Sequence, residues 1–350
     1  MADYALKIRR FDPESGEPAY WQEFKVDLDP ERSVLDGILQ VRGEQDGSLA
    51  IRCSCQAAIC GSCGVRINGR SRLACNTLIG EAADAAKDGA IIVEPMGNMP
   101  VLKDLIVDMD AVHWKKVQRV VPWLIPDGAP PEREYIVPKE SMIDITQAMA
   151  CIHCGACVSA CLSLEVDPEF VGPAALAKAY RFIGDPRDGQ TEERLKDLAE
   201  DPHGIYDCTH CFQCVEVCPK DVAPMDQIMR LRRRATDDFE IKDSNNGYGH
   251  EQAFVRIIEK WGTLHEGQMP VRSFGQGSMV RGQLDPTAVK QLVDSAESGV
   301  NTLKKVGPRK VFFHHKLPDQ KNVRRIFKTV ESHDERIELN LYIVGEDTEE

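Results

Sequence analysis

Cys151-Ile-His-Cys154-Gly-Ala-Cys157-Val-Ser-Ala-Cys161 and Cys208-Thr-His-Cys211-Phe-Gln-Cys214-Val-Glu-Val-Cys218-Pro219 share one spacing, C-x2-C-x2-C-x3-C. Thiolates at that spacing hold cubic iron–sulfur clusters. Three sit on a tight loop and grip three irons of one cluster. The fourth lies one helical turn on and ligates the other cluster. The expected sets are Cys151, Cys154, Cys157 with Cys218, and Cys208, Cys211, Cys214 with Cys161. Structural zinc is the other reading of a C-x2-C pair. Two four-cysteine runs, the second closed by Pro219, argue against zinc.

A third cysteine group lies upstream. Cys55-x4-Cys60-x2-Cys63, followed by Cys75, fits the plant-type ferredoxin spacing. It predicts a [2Fe-2S] centre on a loop beside a sheet. Gly61 and Gly64 let the backbone wrap closely there. Cys53 falls outside the spacing and is expected to be a buried free thiol. All 13 cysteines fall in these three groups, unlike a secreted disulfide framework. A net charge of −13 argues against nucleic acid as a partner. No window approaches 18 consecutive apolar residues, so any membrane link comes through another chain. The N-terminus lacks an apolar signal region, and Arg9-Arg10 sit in a strand-like run.

The elements around these groups read as α+β. Tyr4, Leu6 and Ile8 alternate as in a strand, and so do Phe24, Val26 and Leu28. Ser33 caps a helix with Leu35, Ile38 and Leu39 on one face. Ile91-Ile92-Val93 closes the sheet, giving a β-grasp domain over 1–121. Lys103–Val121 has a helical pattern. A Pro-rich linker follows at 122–138. A helical double-cluster ferredoxin domain occupies 139–235, with helices over Pro173–Phe182 and Met225–Arg234 and a turn at Asp185–Gly189. The remainder, 236–350, is an α/β C-terminal extension and expected docking element. It has a helix at Glu251–Trp261 and another from Asp285 to about Lys305. Strands are expected at Val311–Phe313 and Ile337–Ile343.

The order of the cluster domains resembles the iron–sulfur subunit of succinate dehydrogenase and fumarate reductase. Stretches beyond the cysteines carry the resemblance: Ser54-Cys55 with Ile59–Gly64, Pro100–Asp110, Asp167–Ala175, Tyr180-Arg181-Phe182, Asp185–Asp188 and Cys218-Pro-Lys220. It covers about residues 4–235. It implies three clusters relaying electrons between an FAD-bearing flavoprotein subunit and a quinone. It also implies a membrane-anchor subunit, with or without haem. The chain would then sit peripherally at the cytoplasmic face of the cell membrane, held by its partners. It would carry no general acid or base, because the hydride chemistry belongs to the partner's flavin.

Three features depart from the family pattern. The family's third cluster is usually [3Fe-4S], with a non-cysteine where Cys211 stands; a full thiolate set at Cys161, Cys208, Cys211 and Cys214 favours [4Fe-4S]. Leu162 replaces a proline, and Val166 stands where ubiquinone-reducing members often have tryptophan, while Ser163 is kept. Thr209 looks more like menaquinol-linked members, so menaquinone is the favoured quinone, with Leu162, Ser163, Thr209 and His210 as candidate facing residues. The third departure is the length of the extension. His153 and His210 lie within ligand loops, where a hydrogen bond to sulfide or solvent is the expected role. Arg230, Arg232, Arg233 and Arg234 read as a solvated helix face or a partner contact. Two rival functions are an electron-transfer subunit of a heterodisulfide-reductase-like enzyme and a zinc-stabilised interaction scaffold.

Overall fold

The computed structural model describes residues 2–87, 89–128, 134–137, 139–241, 247–265, 269, 272–273, 304 and 320–332. The chain divides into two compact units, 1–242 and 243–350.

Unit one opens with a five-stranded mixed sheet. Strands β1 (Ala2–Arg10) and β2 (Tyr20–Leu28) form an antiparallel hairpin that aligns Leu6 with Phe24. Helix α1 (Val34–Glu44) starts at a capping box, in which Ser33 and Asp36 each accept the other's backbone N–H. Strands β3 (Gly64–Ile67) and β4 (Arg70–Leu73) form a second hairpin. Helix α2 (Ile79–Asp84) leads to β5 (Ala90–Glu94), which lies parallel to β1 and antiparallel to β3. The order β2-β1-β5-β3-β4 is the expected β-grasp arrangement. Leu6, Ile8, Leu35, Ile38, Val65 and Ile91 fill the space between the sheet and α1.

The helical expectation for Lys103–Val121 holds only in its second half. Val101–Lys103 (β6) and Ile106–Val107 (β7) pair instead as a short arm. Asp104 at the bend is buried and accepts from Arg10 Nε at 2.9 Å and from the backbone N–H groups of Phe11 and Ala50. Arg10 also meets Asp46 at 2.6 Å, so this buried cation locks the arm to the sheet. A π-helical turn, Asp110–Trp114, and helix α3 (Lys115–Arg119) come next.

The helical part is built around α7 (Pro173–Ile183), which is buried along most of its length. Helices α4 (Lys139–Met149) and α10 (Pro224–Asp237) pack on it, with α8 (Thr191–Glu200) beside them. Met96, Met99, Val107, Val117 and Val120 belong to this same core. The start of the expected linker is held by two hydrogen bonds at Ile125. Ile125 N–H donates to Asp188 Oδ1, and Ile125 O accepts from Gly189 N–H.

In unit two, α11 (Gly247–Trp261) buries Ala253 and Ile257 with Met269. Helix Gln320–Ser332 packs on it, with Arg324 Nη2 donating to Lys260 O at 2.9 Å. The helix expected over 285–305, except Lys304, and the strands expected at 311–313 and 337–343 lie outside the described residues.

Candidate functional site

The first thiol group sits on the loop between α1 and β3. Cys55 and Cys60 are exposed, Cys63 is buried at the start of the sheet, and Cys75 is half-buried after β4. Backbone N–H groups of Ala57, Ile59 and Cys60 point at Cys55 Sγ from 3.3–3.4 Å. Ala58 N–H points at Cys75 Sγ. Positive φ angles at Gln56, Ala58 and Gly61 turn these amides inward. The Ser62 hydroxyl draws the Cys60 thiol down to about 6, and burial pushes Cys63 up to about 12. Cys53 is half-buried, not fully buried, because it lies where the loop leaves the core.

The two later loops have one shape. Each turns left-handed at the second and fourth residues after its first cysteine: His153 and Gly155 in one, His210 and Phe212 in the other. A helical turn comes after each, α5 (Ala156–Ser159) and α9 (Gln213–Glu216). Phe212 holds φ +62° where the first loop uses glycine, a strained conformation for a bulky residue. Cys151, Cys154, Cys157 and Cys218 line a single cavity. Cys161, Cys208, Cys211 and Cys214 stand close enough to feel one another's charge. Burial raises the Cys154 and Cys161 thiols to about 11 and raises Cys151, Cys157, Cys208 and Cys214 as well. Buried thiols of this kind ionise when a metal takes the proton's place.

The first two cysteine loops meet closely. A Cβ on Gly61 would stand 2.9 Å from Cys154 Cα. Ser159 Oγ accepts from Ser71 Oγ at 2.7 Å and from Gly97 N–H at 2.8 Å. Asn98 Nδ2 donates to Val158 O and Cys161 O. Spacing alone could not place these partners.

Around the last loop, Leu162 and Thr209 are exposed and Ser163 is buried; Leu162 and Ser163 begin the short helix α6 (Leu162–Val166). Ser163 Oγ lies 3.4 Å from Thr209 Oγ1. Val166 and Phe212 add an exposed apolar margin. His210 meets Arg232, which corrects the reading of that arginine as a solvated face. Arg232 is buried and donates to Ile205 O and Cys208 O as well. Sequence reasoning also passes over His113, a fully buried ring against Trp114 and His153.

Among the described residues, no helix is long and apolar enough to cross a membrane. The family model for a 2Fe-2S iron–sulfur cluster binding domain matches residues 5–114, and that for a 4Fe-4S dicluster domain matches 147–222. The succinate dehydrogenase iron–sulfur subunit of Coxiella burnetii is 34% identical over 67% of this chain and 98% of its own length. The fumarate reductase iron–sulfur subunit of Mycobacterium tuberculosis is 36% identical over 67% and 94%. A chain of the Mycobacterium smegmatis Sdh1 complex, solved in its apo form, superposes with a TM-score of 0.57 and 27% identity, over 68% of this chain and 97% of that one. The chain belongs to the iron–sulfur subunit family of succinate dehydrogenase and fumarate reductase.

Proposed function

We propose that this chain is the electron-relay subunit of a succinate:quinone oxidoreductase, working between an FAD flavoprotein and a quinone. The observation that carries the reading is the cavity into which Cys151, Cys154, Cys157 and Cys218 converge from two separate loops. Four thiols around one space, with inward amides, are the donor set a [4Fe-4S] group takes. The set of Cys55, Cys60, Cys63 and Cys75, exposed at its first two members, suits [2Fe-2S] in the same way. When bound, these groups supply one-electron transfer. The protein's part is to fix their spacing, limit water and set hydrogen bonds to sulfur.

For the third set, Cys161, Cys208, Cys211 and Cys214, we favour [4Fe-4S] over [3Fe-4S]. Each corner then has a thiolate. The quinone is read as menaquinone, near Leu162, Ser163, Thr209 and His210. We place the chain peripherally at the cytoplasmic membrane face, beside a membrane-anchor subunit. The domain limits proposed are 1–121, a linker at 122–138, 139–235, and a docking extension at 236–350.

Purification of the native complex, followed by a succinate-dependent quinone reduction assay, tests the reading. Activity is expected in the complex and absent from the isolated chain. Succinate oxidation by the isolated chain would overturn the relay role. A complex that reduces a disulfide substrate instead would favour the heterodisulfide-reductase-like alternative.

A further inference from the structure

His113 is 1% exposed, and neither ring nitrogen has a hydrogen-bond partner among the described residues. It stands on the π-helical turn Asp110–Trp114 and lines the cavity of Cys151, Cys154, Cys157 and Cys218. A π turn inserts one residue into the helical path and re-aims the side chains beyond it, often at functional sites. The rings beside His113 offer no hydrogen-bonding atom to it: Trp114 lies edge-on at 4.9 Å and His153 at 5.7 Å. Ala174, Ala177 and Val222 make other parts of the cavity wall apolar. A buried polar group without a partner is costly, so a dry orphan imidazole is a poor core residue.

Burial holds His113 neutral, with its imidazolium favoured only below about 4. A neutral imidazole carries one N–H donor. The cavity it faces is where cluster sulfur would stand.

We propose that His113 donates its N–H to sulfur of the group held by Cys151, Cys154, Cys157 and Cys218, and so raises that group's reduction potential. The inference rests on the ligand set proposed above. Reduction adds negative charge, and an N–H aimed at sulfur stabilises the reduced form more than the oxidised one. His113 acts through the cluster's surroundings and is neither a ligand nor a proton donor in turnover.

Redox titration of the cluster-loaded full-length chain in its complex, followed by electron paramagnetic resonance, tests this. His113→Phe keeps a ring and removes the donor. It should move this cluster's reduction equilibrium about tenfold toward the oxidised form, about 59 mV for one electron. The [2Fe-2S] centre should not move. His113→Gln, which keeps an N–H, should recover at least half of the shift. An unchanged potential in His113→Phe overturns the proposal and leaves the ligand set standing. Absence of the cubic cluster from the wild-type chain would instead overturn the ligand set. If His113→Phe fails to load, 15N-histidine labelling decides. Pulsed resonance on the reduced cluster should show a histidine nitrogen coupling in the wild type that persists in His153→Asn. Its loss in His153→Asn, or its absence from the wild type, would overturn the proposal.

Discussion

Arg232 Nη1 lies 2.6 Å from His210 Nε2. Guanidinium groups only donate, so Nε2 accepts and the ring keeps its proton on Nδ1. The same arginine holds Ile205 O at 2.9 Å and Cys208 O at 3.0 Å. One buried cation therefore fixes the start of the last cysteine loop and the orientation of its histidine.

Arg232→Met removes these hydrogen bonds and takes this donor from the carbonyls of Ile205 and Cys208. The loss should be about 2–4 kcal/mol of stability. Chemical denaturation of the loaded chain measures it. Iron should leave the set of Cys161, Cys208, Cys211 and Cys214 before the other two sites.

Gly61→Ala should separate the first two cysteine loops. Gly61 has φ +74°, and its added Cβ would lie 2.9 Å from Cys154 Cα and 3.1 Å from Ile152 O. Strain of this kind costs about 1–3 kcal/mol. The melting temperature should fall, and magnetic coupling between the reduced first and second centres should weaken. A variant with unchanged coupling would show that the loops tolerate the methyl group.

Cys211→Val should leave the third cluster one iron atom short. The oxidised variant should then show a paramagnetic three-iron signal that the undamaged wild type lacks. A stoichiometric three-iron signal already present in the wild type would overturn the [4Fe-4S] assignment.

Asp185 should contribute to acid denaturation. Its side chain is fully buried, which alone would raise its carboxyl. Arg187 and Arg181, at 2.6–2.8 Å, more than offset that and bring it to about 2. The folded value lies below the unfolded value of 3.8, so the stabilisation is present at higher pH and lost as pH falls toward 2. It amounts to up to about 2 kcal/mol. Asp185→Asn should flatten the stability profile across that window, as followed by denaturant midpoints between pH 5 and 2.

The sheet is legible in the sequence because Leu6, Ile8, Phe24 and Val26 alternate strictly and Ser33 and Asp36 form a capping box. Both signals are local. The arm at Val101–Val107 escapes such a reading because its strands are only three and two residues long. What holds it is Arg10, 94 positions from Asp104, a separation no periodicity reports. Arg232 and His113 are hidden for a related reason. Arg232 looks like any basic helix residue until Ile205 and Cys208 arrive behind it. His113 becomes informative only beside Cys151 and Cys218, which come from distant loops.

The cavity shared by Cys157 and Cys218 imposes an order on synthesis. Cys151, Cys154 and Cys157 leave the ribosome well before Cys218 is made. At typical elongation rates the interval is about 3–12 s. During that time the nascent loop has three thiols and no fourth partner. On the proposed sets, Cys161 would meanwhile wait for Cys208, Cys211 and Cys214. With the ligand sets proposed above, both cubic sites would become complete only once the chain has passed Cys218. A chain stalled near residue 200 would expose unpaired cysteines to oxygen and would hold neither cubic site complete.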